Sequence, residues 1–116
     1  MKIILDTNFL IYCAKYKIDW QEEIKRIFGK AEIIIPCQVL QELEQKSKEK
    51  NAKIALLISE KAIEEEKAKI KILGAENTDL AVEKLGKNNI IASMDKGIKA
   101  GKRLVIRQKN HLELIE

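Results

Sequence analysis

Apolar residues along this chain follow two periods. Short, nearly unbroken apolar runs occur at residues 2–5 (KIIL), 31–35 (AEIII), 89–93 (NIIAS) and 104–106 (LVI). Runs of that length, rich in β-branched residues, read as buried strands. Between them the apolar positions recur at helical spacing. Phe9, Leu10, Tyr12 and Cys13 predict a short helix after the first strand. Ile24, Ile27 and Phe28 predict a second helix over residues 20–28, ended by Gly29. Pro36 closes the second strand and suits the first turn of the next helix. That helix, over about residues 37–50, turns Val39, Leu40 and Leu43 inward. Another over residues 52–68 turns Leu56 and Ile63 inward, leaving a Lys/Glu mixture outside. Residues 69–73 (KIKIL) alternate, as a short strand or the frayed end of that helix. Asn77 or Thr78 can cap a helix over residues 80–85, which Gly86 ends. A short helix over about residues 96–100 precedes the 104–106 strand, and residues 112–115 are expected to add another edge.

Strands alternating with helices indicate an α/β fold, with a parallel sheet covered on both faces. Ligands in such folds bind at the carboxyl ends of the strands. The 116 residues suit a single domain spanning 1–116, with no internal repeat or linker. The longest uncharged apolar runs are far too short to span a membrane. No signal-peptide pattern opens the chain. Cys13 and Cys37 lack metal-type spacing and read as small buried residues in a reducing compartment, so a cytoplasmic protein is expected. The lone His111 cannot build a histidine-based zinc site. The Lys/Glu/Ile-rich composition is of the kind seen in hyperthermophile proteins.

Two imbalances change the picture. Glutamates number 14 and aspartates only four: Asp6, Asp19, Asp79 and Asp95. The net charge of +4 is also unevenly placed. Residues 1–95 carry 16 basic and 16 acidic side chains, so the excess lies in residues 96–116, with six basic against two acidic. A basic stripe is the minimal footprint of a phosphate-binding surface. The plainer reading is a solvated lysine-rich face.

Asp6 directly follows the first strand, and Asp95 follows the 89–93 strand at the same edge. Asp79 lies in the first turn of a helix that runs antiparallel to the strand it feeds, which returns it to that edge. Glu42, one to two turns into the helix leaving the second strand, reaches the same rim. Clustered carboxylates repel one another and raise one another's pKa values unless a cation neutralises them. Mg²⁺ favours such oxygen ligands together with phosphate oxygens. It can also assist in-line attack by water on a phosphodiester. Each acid has a plainer reading as a helix-start residue or surface charge. Coincidence on one rim weakens that reading for all four together.

At this point the residues resemble the PIN-domain nucleases. Residues 5–11 (LDTNFLI) resemble the opening motif of that family, with Asp6 its acid. Residues 36–43 (PCQVLQEL) resemble the second, with Glu42 at the acidic place. Asn77-Thr78-Asp79 before Leu80-Ala81-Val82 resembles the third, where Glu76 competes with Asp79 as ligand. Residues 90–99 (IIASMDKGIK) resemble the fourth, with Asp95 the acid and Ser93 where threonine is usual. The motifs span nearly the whole chain in order.

The resemblance implies a three-layer α/β/α sandwich around a parallel sheet. It implies an endoribonuclease dependent on Mg²⁺ or Mn²⁺, acting on single-stranded or structured RNA. Asp6, Glu42, Asp79 and Asp95 would be the catalytic metal ligands, with Asn8 and Ser93 orienting them. Lys99, Lys102, Arg103 and Arg107 would draw in the RNA backbone. Two branches fit. One is the toxin of toxin–antitoxin pairs, often a homodimer with a protein antitoxin. The other processes ribosomal RNA beside ribosome-assembly factors, and Arg107-Gln108-Lys109 with Leu112-Glu113-Leu114 looks somewhat like it. A non-catalytic PIN-like module binding RNA or protein is the alternative. A haloacid-dehalogenase-like phosphatase would want an aspartate where Asn8 stands. A response-regulator receiver would want an acidic pair near the first strand.

Overall fold

A computed structural model describes residues 1–72, 89–94 and 102–115. The run Ile3-Ile4-Leu5 is fully buried within strand β1 (Lys2–Leu5). A strand apolar on both faces belongs at the centre of a covered sheet, and β1 lies there. It pairs in parallel with β2 (Glu32–Pro36) on one side and β4 (Ile90–Ala92) on the other. β3 (Lys69–Lys71) extends the β2 side, and β5 (Lys102–Arg107) and β6 (His111–Ile115) extend the β4 side. The order is β3-β2-β1-β4-β5-β6. All ladders are parallel except β5 with β6, which form an antiparallel hairpin. The Asn110 N–H donates to the Arg107 carbonyl at 3.2 Å, and Gln108 and Lys109 between them both have positive φ. That backbone pattern suits a tight hairpin, so the expected last edge strand turns back on its neighbour.

Helix α1 (Thr7–Lys15) follows β1 and buries Phe9, Leu10 and Cys13. Helix α2 (Trp20–Phe28) has the expected bounds. Asp19 caps it, accepting from the N–H groups of Gln21 (3.1 Å) and Glu22 (3.2 Å). Helices α3 (Cys37–Gln45) and α4 (Lys50–Glu64) pack with α1, whereas α2 packs against β6. The result is the three-layer α/β/α arrangement. The small residues Ala52, Ala55, Ser59 and Ala62 form the buried stripe of α4, with Leu56 and Ile63 half-buried beside it.

Several boundaries differ from the periodic pattern, each for a local reason. α3 stops at Gln45 instead of running to residue 50. No apolar side chain occurs from Glu44 to Asn51 to hold a longer helix on the core. α4 stops at Glu64, short of residue 68. Its end closes when Lys67 N–H reaches Ala62 O (2.8 Å) and Glu66 N–H reaches Ile63 O (3.1 Å), with Glu66 at φ 61°. Pro36 is the last strand residue and the α3 cap, one place earlier than a first-turn proline. The proposed helices at 80–85 and 96–100 lie outside the described residues.

Candidate active site at the carboxyl edge of the sheet

The carboxyl ends of β1, β2 and β4 lie along one edge, because their ladders are parallel and in step. Leu5 is level with Ala92, and Ala92 with Leu104. Asp6 is the first residue beyond that line. Its N–H donates to the Ala92 carbonyl at 3.0 Å, continuing the ladder. Its carbonyl accepts from Leu10 N–H at 3.2 Å, starting α1. Asp6 therefore joins the central strand to the first helix.

The Asp6 side chain is only 4% exposed, yet it makes no capping bond to α1. A helix-capping role does not account for it. Ser93, also fully buried, donates its hydroxyl to Asp6 Oδ2 at 3.2 Å. Ser93 is itself fixed by its N–H, which donates to the Leu104 carbonyl at 3.2 Å. Beside Asp6, the buried Thr7 Oγ1 has no hydrogen-bond partner among the described residues. A buried carboxylate and an unsatisfied hydroxyl are costly unless a cation or polar ligand completes the site.

Glu42 lies on the second turn of α3, between the buried Val39 and Leu43. Its side chain is half-exposed and meets Lys46 Nζ one turn on, at 3.8 Å. Asn8 is exposed in the first turn of α1 and borders a pocket of about 540 Å³ that Lys46 also borders. Asp79, its competitor Glu76, Asp95 and Lys99 lie outside the described residues. Among the described residues no group of three acids, cysteines or histidines is placed to hold a metal. The donors in view, Asp6 and Glu42, are oxygens, which suits a hard divalent cation.

The basic residues spread along β5. Lys102 is level with Ile90, and Ile90 with Ile3, toward the amino edge; Arg103 is one residue nearer the acids. Arg107 lies three residues beyond Leu104 on the carboxyl side, exposed, with Glu113 at 3.6 Å. A larger pocket, about 760 Å³, opens where Met1, Lys2, Lys30 and Glu32 meet, and neither Asp6 nor Glu42 lines it.

Sequence reading passed over two features. One is the unpartnered Thr7 hydroxyl, which only the packing shows. The other is a parallel stack of Tyr12 on Tyr16, centroids 6.0 Å apart, with Lys15 Nζ over both rings and Lys109 Nζ 5.7 Å from Tyr16. Tyrosines four residues apart on an otherwise polar helical face were its available signal. Burial pushes the Cys13 thiol far up, so Cys13 is an inert core residue. Cys37 is half-buried and donates to Gln38 Oε1 at 3.3 Å; both cysteines are free.

Comparison with known proteins agrees with this geometry. The sequence model described as "PIN like domain" matches residues 3–114. Ribonuclease VapC4 of Methanocaldococcus jannaschii is 34% identical, over 97% of this chain and 95% of its own length. The fold is similar to that of the PIN domain endonuclease Utp24, with TM-score 0.79 and 22% identity over 97% of this chain and 90% of that one. The PIN domain of human SMG5 is more distant, with TM-score 0.57 and 15% identity over 82% and 83% of the two chains.

Proposed function

Since this chain belongs to the PIN-domain family of nucleases, we propose that it is an endoribonuclease that depends on a divalent metal ion. The single observation that carries this reading is the Asp6 carboxylate. It is buried at the carboxyl edge of the central strand, held by Ser93, and released from any capping duty. A similar ribonuclease sharing 34% of its residues supports RNA as the substrate class.

Asp6 and Glu42, with Asp79 and Asp95, would hold one or two Mg²⁺ or Mn²⁺ ions. Such ions supply Lewis acidity and charge neutralisation at a phosphodiester. The chain's own part is to aim and insulate the carboxylates. Ser93 holds Asp6 Oδ2 and so fixes the orientation of the carboxylate at the edge. Lys46 restrains Glu42 from one turn away. Buried Ile3, Ile4, Leu5 and Ile91 keep the floor of the site dry, which strengthens charge interactions above it. Lys99, Lys102, Arg103 and Arg107 attract the RNA backbone, with Arg103 one residue before Leu104 and Arg107 three beyond it.

The test is cleavage of single-stranded and structured RNA with Mn²⁺ or Mg²⁺, by the wild type and by Asp6→Asn. The variant should lose more than roughly 100-fold, exceeding the loss typical of outer partners. Undiminished cleavage would sink the metal-nuclease reading and leave the binding-module alternative. Two cellular roles follow from the same chemistry. A toxin would act as a cytoplasmic homodimer neutralised by an antitoxin. A ribosomal-RNA-processing enzyme would act with an assembly factor. Copurification of a small antitoxin protein supports the first, and specific cleavage of precursor ribosomal RNA supports the second.

A further inference from the structure

The exposed side of α1 carries a feature that the acidic site does not use. Asn8, Tyr12 and Tyr16 succeed one another at four-residue spacing, and the Tyr12 ring is 38% exposed and stacked in parallel on Tyr16. The hydrophobic face of the same helix is occupied by Phe9, Leu10 and Cys13; Tyr16 is half-buried against the core, whereas Tyr12 is exposed. Lys15 stands over both rings, and Lys109 from the β5–β6 turn stands over the second. Tyr12 also lines the pocket of about 540 Å³ between α1 and the α3–α4 turn. Among the described residues, that pocket is bordered by Lys15, Lys46 and Lys50 against a single acid, Glu49. Its volume is in the range of small-molecule sites.

Position ties this pocket to the carboxylates. Asn8, on its rim, is two residues after Asp6. Lys46, also on its rim, is the ion-pair partner of Glu42. A strand whose phosphate sits at the carboxylates must place its adjoining nucleotide nearby. An exposed aromatic ring offers a base a stacking surface, and lysines offer its phosphate a charge. Bases paired within a duplex cannot reach such a ring, so the pocket suits single-stranded RNA.

The geometry points to this pocket as the subsite for the nucleotide next to the scissile phosphate, its base stacked on Tyr12 and its phosphate held by Lys46 and Lys50. This rests on the ribonuclease reading for its position in the reaction. Stacking reads the face of any base, so the subsite is tolerant of sequence.

The full chain is tested with two fluorescein-labelled strands, a mixed-sequence oligoribonucleotide of about ten residues and an abasic ribose-phosphate strand of equal length. Binding is followed by anisotropy without metal, and cleavage by steady-state kinetics with Mn²⁺. Tyr12→Ala should weaken the base-bearing strand about ten-fold, and Tyr12→Phe should bind as the wild type does. Neither should change binding of the abasic strand. Lys50→Ala should weaken both strands alike and reduce the salt slope by about 0.7. In cleavage, Tyr12→Ala should raise KM and keep kcat. Equal affinity of wild type and Tyr12→Ala overturns the proposal. So does equal loss on both strands, no binding by the wild type, or a preference for an acidic peptide over RNA. Cleavage lost in Asp6→Asn but indifferent to Tyr12 removes the subsite and keeps the nuclease. Tyr12-dependent binding without Asp6-dependent cleavage does the reverse.

Discussion

Ser93 and Asp6, 87 residues apart in sequence, meet inside the sheet through a 3.2 Å hydrogen bond from the serine hydroxyl to Asp6 Oδ2. The bond crosses the seam between β4 and β1, and both residues are buried. Removing the hydroxyl takes a hydrogen bond from a buried carboxylate. Ser93→Ala is therefore expected to cost about 1.5–3 kcal/mol and to weaken metal binding roughly 10–100-fold. Ser93→Thr keeps the donor and should keep metal affinity, at about 1 kcal/mol of packing cost. Calorimetric titration with Mn²⁺ decides between them. An alanine variant that binds metal like the wild type would remove Ser93 from the site.

A second contact predicts how stability responds to acid. Glu23 on α2 accepts from Arg26 Nε and Nη2 (2.9 and 3.0 Å) and from Leu112 N–H of β6 (2.9 Å), while Arg26 Nη2 donates to Leu112 O (3.1 Å). The hydrogen bond from Arg26, then that from Leu112, lowers the Glu23 pKa from 4.5 to about 2. A depressed carboxylate stabilises the fold fully above about pH 4.5 and loses that contribution as pH falls toward 2. The side chain is partly solvated, so the effect is modest. Glu23→Gln should cost roughly 1 kcal/mol at pH 7, and the two proteins should converge near pH 2. Urea midpoints across that range test it. A constant gap down to pH 2 would contradict the linkage.

Asp19 caps α2 through two backbone N–H groups. Asp19→Ala should cost about 1 kcal/mol and lower Tm by about 4 °C or more. RNA cleavage should not change, because α1 leads the chain away from the carboxyl edge before Asp19 and the Asp19 side chain is engaged by α2. A thermal melt that does not move would show the cap to be dispensable.

Glu66 ends α4 in the left-handed region at φ 61°. Glycine holds that conformation without the side-chain penalty. Glu66→Gly is expected to stabilise the chain by roughly 0.5–1 kcal/mol, read as a higher urea midpoint. A lower midpoint would mean that the left-handed turn carries no penalty here.

The strands and the place of Asp6 at the end of the first were legible in the sequence because each rests on local pattern. Ile3, Ile4 and Leu5 can only be a buried strand, and α2 follows from Ile24, Ile27, Phe28 and Gly29. Asp19 looked idle in the sequence because its work is done by backbone groups two and three residues on. The α3–α4 break was placed near residue 51, whereas α3 ends at Gln45, because a Lys/Glu-rich run is compatible with helix by propensity and only the lack of apolar anchors ends it. β6 was placed as an edge, but its antiparallel direction depends on two left-handed residues, Gln108 and Lys109, that are not glycines. The basic tail was read as one stripe, whereas register spreads it along β5, with Lys102 toward one edge and Arg107 toward the other.

The central place of β1 also decides when the site comes into being. Its ladder to β4 joins Ile3 with Ile90 and Leu5 with Ala92. On the ribosome, β1 emerges long before β4 and waits for it, since so distant a pairing cannot close earlier. Until Ser93 clears the exit tunnel, Asp6 has neither its hydroxyl donor nor the backbone carbonyl that holds its N–H. A polypeptide not yet extended that far thus lacks the buried pairing on which the proposed site depends.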